Sequence, residues 1–191
     1  MVASEITIHS AHPTDARRLT AIAHAAKRHW GYSEELIALW EDDLTITPAF
    51  ITGQIAFCAV LYGAIIGFYA LRQMRGNQAE SATEYTDFTD AGDLTQPCVR
   101  FVQSAPSVAG EHVYELVHMW IDPQHIGAGV GRLLFDHAVR TARSIGGSSL
   151  RIVSDPHAAG FYLRMGARCV GEVPSIPEGR MLPLLALEIH R

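Results

Sequence analysis

The sequence predicts an α/β fold, in which helices cover a β-sheet, and three stretches carry that expectation. Residues 113–145 read as a short apolar strand, a glycine-rich turn and a helix. Phe57–Tyr62 and Ala64–Leu71 flank Gly63 as a hairpin apolar on both faces, which suits the middle of a sheet covered on two sides. Between about Pro13 and His29, Leu19, Ile22, Ala23 and Ala26 recur at helical spacing.

Taken in order, residues 4–9 alternate around Ile6 and Ile8 and predict a first strand. Pro13 or Thr14 opens a helix to about His29, with Asp15 in its first turn. Lys27, Arg28 and His29 face the dipole at its C-terminus, and Gly31 stops it. Ser33, followed by Glu34 and Glu35, starts a second helix carrying Leu36, Ile37, Leu39 and Trp40. Beyond the hairpin, residues 73–111 are acidic, through Glu80, Glu84, Asp87, Asp90 and Asp93, with little periodicity until Cys98–Gln103. A connection of that length is either a lid or tolerated surface, and tolerated surface is the plainer reading. The next strand contains Val113, Val117, Trp120 and Ile121 and ends at Asp122-Pro123. Gly127, Gly129 and Gly131 follow, and from Val130 the apolar residues recur at 133, 134, 138, 142 and 145, a helical spacing. Ser149–Val153 reads as a buried strand. Ser154-Asp155-Pro156 then caps a helix over His157–Arg164, stopped by Gly166. Arg168–Glu172 and Leu184–Ile189 close the sheet around a turn-rich loop, Pro174–Pro183.

Length and composition suit one domain over residues 1–191 with the acidic insertion at about 73–111. A formal charge of -5 argues against a nucleic-acid or acidic-membrane surface. Cys58, Cys98 and Cys169 follow no Cys-x-x-Cys pattern, and the ten histidines are scattered, so no metal site is expected. The N-terminus lacks a charged and apolar leader and no apolar run reaches membrane length, so a cytoplasmic protein is expected.

A strand, a glycine-rich turn and a helix N-terminus together form an anion site, because bare N–H groups converge where the dipole is positive. A phosphate-bearing ligand is therefore the first functional expectation. A P-loop would need a lysine that is missing here. A dinucleotide fingerprint would need a third glycine where Arg132 stands, although Asp155 could imitate its acidic residue. The remaining pattern is Gln/Arg-x-x-Gly-x-Gly/Ala, met by Gln124-His125-Ile126-Gly127-Ala128-Gly129 and continued by Val130-Gly131-Arg132-Leu133-Leu134. This resembles the acetyl-CoA loop of the GCN5-related N-acetyltransferases. Asp155-Pro-His-Ala158-Ala-Gly-Phe161-Tyr162-Leu-Arg-Met-Gly166-Ala167 is similar to a second segment of that family, Asn-x-x-Ala-x-x-Leu-Tyr-x-x-x-Gly-Phe. Here Asp155 replaces the asparagine and Ala167 the final aromatic. Residues 27–35 and 179–185 look like those of a bacterial subgroup.

The resemblance implies a mixed, mostly antiparallel sheet flanked by helices and splayed at its acetyl-CoA strands. It implies acetyl-CoA as co-substrate, no metal, and transfer to a primary amine on a small molecule or protein. Backbone N–H groups from Ile126 to Arg132 would hold the pyrophosphate. Met119, Trp120 and Ile121 would pair with the pantetheine arm, with a strand N–H polarising the carbonyl. Ala158, Phe161 and Asp155 would line the cofactor side, Asp155 mainly as a cap. Trp30 and Tyr32 would either close the first helix or line an acceptor pocket. Tyr162 matches the family's general acid, since a phenol of pKa about 10 can donate to a thiolate whose acid lies near 8.5. Glu115 is the first choice of base, and His118 the other, placed by strand alternation on the opposite face. No cysteine occupies a motif position, which favours direct attack in a ternary complex. The acidic balance suits a cationic acceptor such as a polyamine, aminoglycoside or lysine. Two other readings are a non-catalytic acyl-CoA-binding regulator and a dinucleotide-binding oxidoreductase. A homodimer through the C-terminal strands is compatible with the sequence.

Overall fold

A computed structural model describes residues 6–74 and 112–190. Most of the expected 73–111 insertion, including the Cys98–Gln103 stretch, lies outside the described residues. The chain order is β1 (Thr7–Ser10), α1 (Ala16–His29), α2 (Glu34–Leu39), α3 (Glu41–Leu44), α4 (Pro48–Gly53), β2 (Ile55–Leu61) and β3 (Ala64–Gln73). It continues with β4 (Val113–Ile121), α5 (Val130–Ser144), β5 (Ser149–Val153), α6 (Pro156–Arg164), β6 (Arg168–Ser175) and β7 (Arg180–Glu188).

The described strands form one sheet in the order β1-β2-β3-β4-β5-β7-β6. All neighbours are antiparallel except β4 and β5, so the expected mixed, mostly antiparallel sheet is observed. One face carries α5 and α6, where Leu134, Phe135, Ala138 and Ala142 pack on Tyr69, Leu71, Leu116, Leu150 and Ile152. On the other face Leu19 and Ile22 of α1 pack with Phe68, Cys58 and Ile51 of α4. Farther along α1, Ala23 meets Ile37, Trp40 and Leu44.

Local chemistry sets the ends of these elements. His12 and Asp15 form a reciprocal capping box ahead of α1, and Ser33, Thr47 and Asp155 cap α2, α4 and α6 through their side-chain oxygens. Helix α4, opened by Thr47-Pro48, is an element the sequence pattern did not indicate. The expected loop at Pro174–Pro183 is largely strand instead, since Pro174 pairs with Met181 and Pro183 with Glu172. Both prolines fit because β6 is an edge and the β5–β7 ladder ends at the Val153–Leu184 pair, one residue short of Pro183. No described helix is long and apolar enough to cross a membrane.

Candidate active site

The site begins where the two parallel strands part. β4 pairs with β5 only through Val113–Glu115 opposite Ser149–Arg151. Beyond that rung β4 continues to Ile121 with a free edge, as the expected splay requires. The opening is a cleft of about 680 Å³, lined by Leu116–Ile121 on one side and Val153–Asp155 on the other.

A bulge shapes the β4 wall. Leu71 pairs with Leu116 and Ala70 with His118, so Val117 has no partner on β3. The extra residue reverses the facing of everything after it. Glu115 and His118, expected on opposite faces, therefore share the face of α1. His118 packs against Phe50, Phe68 and Trp120.

The mouth of the cleft is the glycine turn. Asp122 accepts from the Gln124 N–H at 3.1 Å and ends β4 in a short 3-10 turn over Pro123–His125. Its other carboxylate oxygen meets Arg18 of α1 at 2.6 Å, and the same guanidinium donates to the Ile65 carbonyl at 2.7 Å. Gly127 and Gly129 have φ of 82° and 84°, a left-handed conformation that glycine adopts without strain. Of the seven N–H groups expected to bind phosphate, two are used within the turn. Ile126 donates to Pro123 and Ala128 to His125, each at 3.3 Å. The N–H groups of Gly127, Gly129, Val130, Gly131 and Arg132 have no partner among the described residues. They converge at the N-terminus of a fifteen-residue helix, α5, capped by no side chain.

Most of the sequence-predicted residues come together here. Met119, Trp120, Ile121, His125, Ile126, Gly127, Gly129, Gly131, Arg132, Asp155, Ala158, Phe161 and Tyr162 all line the cleft. Gln124 and Ala128 are exposed outside it, and the Val130 side chain is buried in the core, leaving only its N–H at the mouth. Tyr162 is buried between Phe135 and Phe161, and its hydroxyl makes no hydrogen bond among the described residues. Burial, with the Asp155 charge adding to it, pushes its phenol above the ordinary value.

Glu115 departs from expectation. Its carboxylate does not line the cleft and is held by Arg72 and Arg151, each at 2.5 Å. Both carboxylate oxygens are already engaged by guanidinium donors, away from the cleft lining. His118 does line the cleft, but burial, aided by the Arg72 charge, pushes its pKa down to about 4. Its Nδ1 already accepts the Trp120 indole N–H at 3.1 Å. Neither residue suits the part of a base.

Asp155 is the α6 cap expected, accepting the His157 N–H at 3.0 Å, and it is also the centre of a cluster. Lys27 Nζ bonds its Oδ2 at 2.6 Å, the Tyr32 hydroxyl donates to its Oδ1 at 3.1 Å, and Arg180 lies 3.8 Å away. Asp155 lines the cleft, as expected of a cofactor-side residue, with both carboxylate oxygens engaged by Lys27, Tyr32 and the His157 N–H. Burial alone would raise the Asp155 carboxyl, but the Lys27 charge and the hydrogen bonds bring it below the usual carboxylate range. Burial lowers the Lys27 ammonium while Asp155 opposes the shift. Lys27 Nζ also lies 4.8 Å from the Tyr32 ring centre, 4.7 Å from Trp40 and 5.5 Å from Trp120. Trp30 stacks on His157 at 5.3 Å. Sequence reasoning passed over Lys27, Trp40 and Arg180. One signal was present, since Lys27 lies four residues after Ala23 on the apolar stripe of α1.

A splayed sheet with unpartnered N–H groups at its mouth and a long cleft behind it suits a phosphate-bearing ligand. The profile of the acetyltransferase (GNAT) family matches residues 18–167, and the chain belongs to that family. Membership supports acetyl-CoA-dependent N-acetyl transfer in general, with acetyl-CoA as co-substrate. Among curated proteins none matches the sequence. The fold is shared with a GCN5-related N-acetyltransferase (aminotransferase, class-II) from Rhodopseudomonas palustris, at TM-score 0.65 and 21% identity over 98% of each chain. PaiA N-acetyltransferase from Thermoplasma acidophilum, in complex with coenzyme A, aligns at TM-score 0.65 and 14% identity over 96% of this chain and 99% of that one. The ribosomal-protein-S18-alanine N-acetyltransferase of Escherichia coli aligns at TM-score 0.59 and 16% identity over 98% and 96%.

Proposed function

We propose that this chain transfers an acetyl group directly from acetyl-CoA to an amine within a ternary complex, in a single domain. The observation that carries the reading is the parting of β4 from β5 behind five unpartnered N–H groups. The pyrophosphate binds at Gly127 and Gly129–Arg132, and the pantetheine amides pair with the free edge of Met119–Ile121. Gly131 supports this placement, because a side chain there would point toward Phe161 and Ile121, into the channel.

The amine attacks the thioester carbonyl carbon, a C–N bond forms, and an N–H of the bulged β4 segment stabilises the oxyanion. On collapse the C–S bond breaks and the Tyr162 hydroxyl gives its proton to the thiolate. Its raised pKa keeps that proton in place until then. With Glu115 and His118 not placed for it, water takes the acceptor's ammonium proton before attack, and the second proton, shed by the attacking nitrogen as the intermediate collapses, passes through water to the Tyr162 phenolate. Direct transfer fits the cysteines that are described: Cys58 is buried with its thiol pushed up to about 12, and Cys169 lies on β6 outside the cleft.

Calorimetric titration with acetyl-CoA tests the site. Micromolar binding by the wild type, lost in Gly131→Glu with the circular-dichroism spectrum unchanged, is the expected result. Gly131 is the better position, because Gly129 has a left-handed φ and a substitution there strains the backbone as well. A folded wild type that does not bind acetyl-CoA refutes the reading.

A further inference from the structure

The charges lining the cleft run against those of the chain. Lys27, Arg132, Arg164 and Arg180 face two carboxylates, Asp43 and Asp155, in a protein of formal charge -5. Arg132 and Arg164 belong to α5 and α6, the helices of the cofactor side. On the other wall Lys27 and Arg180 share one half-buried carboxylate, Asp155, which leaves one positive charge in surplus, while Asp43 is exposed.

The aromatic surface of this wall is already occupied. Lys27 and Arg180 lie 4.7 and 4.6 Å from the Trp40 ring and 4.8 and 5.7 Å from that of Tyr32. A polycationic acceptor would meet like charge here and find these ring faces taken. Arg180, in contrast, keeps donors in reserve. Nη1 bonds the Ser175 hydroxyl at 3.0 Å and Nη2 the Tyr32 hydroxyl at 3.3 Å. Nε and one hydrogen on each terminal nitrogen have no hydrogen-bond partner among the described residues. A guanidinium held 4.6 Å from the centre of an indole ring, with spare donors in a cleft, is placed to receive a planar anion.

Resting on the acetyl-transfer reading, we propose that the acceptor is a small amine carrying a carboxylate, of amino-acid type. Arg180 receives that carboxylate and Lys27 supplies the surplus charge. This reverses the cationic acceptor that the overall acidity suggests, because the local charge is what an acceptor meets.

The test uses the full-length protein with the standard amino acids as free acids, the same compounds as carboxamides, and spermidine. Turnover is read by thiol release from acetyl-CoA, and binding by calorimetry of the acids and amides onto coenzyme A-saturated protein. At least one free acid is expected to exceed its amide tenfold or more in kcat/KM, and in affinity. Arg180→Gln should raise its KM at least tenfold, leave kcat within about twofold, and level the acid with the amide. Arg180→Lys, which keeps the charge and loses the fork, should fall between. Amides or spermidine bound or used as well as every free acid overturn the proposal, as does an unchanged acid-to-amide ratio in Arg180→Gln. If free acids bind in preference to amides and none is acetylated, the carboxylate site stands and the transfer reading fails.

Discussion

Replacing Glu115 by glutamine separates a structural part from a catalytic one. Arg72 and Arg151 each contact its carboxylate at 2.5 Å, and the side-chain exposures are 10% for Glu115, 55% for Arg72 and 25% for Arg151. A partner removed from a fully buried ion pair costs about 3–5 kcal/mol, whereas exposed pairs contribute about 0–1 kcal/mol. Both arginines can be rehydrated in part, and glutamine still accepts one hydrogen bond, so the loss should be about 2 kcal/mol. For a chain of this size that lowers Tm by roughly 4–8 °C. Because the Glu115–Arg151 rung is the last before the strands part, loosening it should also raise the KM for acetyl-CoA. Thermal unfolding followed by circular dichroism, together with thiol-release kinetics against pH, checks both effects. The expected result is the Tm loss, a kcat within about tenfold of wild type, and an unaltered pH profile. A variant of native Tm whose kcat falls more than a hundredfold, with the alkaline-rising limb removed, would make Glu115 the base and refute the argument.

Tyr162→Phe should lower kcat by about 10²–10⁴ with acetyl-CoA affinity unchanged, the usual range for a lost general acid, as single-turnover kinetics and calorimetry would report. Since the Tyr162 pKa lies above its ordinary value, wild-type kcat should not fall between pH 8 and about 10 through loss of this proton. His118, at about 4 folded against about 6.5 unfolded, gives stability that is complete above pH 6.5 and lost as pH falls toward 4. The loss is up to about 3 kcal/mol, and His118→Gln should flatten the dependence of Tm on pH over that window. Lys27→Met removes the nearest cation from the half-buried Asp155 carboxylate, leaving Arg180 at 3.8 Å, and should cost about 2 kcal/mol at pH 7. Lys27→Met/Asp155→Asn should recover part of that loss in chemical denaturation.

The cofactor half of the site was legible in the sequence because its signals are local. Glycines, Asp122-Pro123 and the start of a helical repeat lie within twenty residues, and each has a backbone meaning. The other half was hidden for distinct reasons. No glycine or proline marks the Val117 bulge, so simple alternation put Glu115 and His118 on opposite faces when they share one. Arg180 and Lys27 are 153 positions apart and meet only through Asp155. Pro174 and Pro183 suggested a loop because their tolerance depends on where β5 and the sheet edge fall, which is a property of topology.

The Arg18 side chain fastens three distant parts of the chain, α1, Ile65 and Asp122, across separations of 47 and 104 residues. In folding terms the glycine turn, though encoded in a handful of neighbouring residues, is completed by a contact of high sequence separation. Its final set should therefore form late, after the N-terminal helix docks on the sheet. A fragment beginning at residue 112 would contain both sequence motifs and lack this strut. Such a fragment, even where helical, should bind acetyl-CoA far more weakly than the whole chain, and adding residues 1–74 in trans should restore affinity together with slow, concentration-dependent assembly.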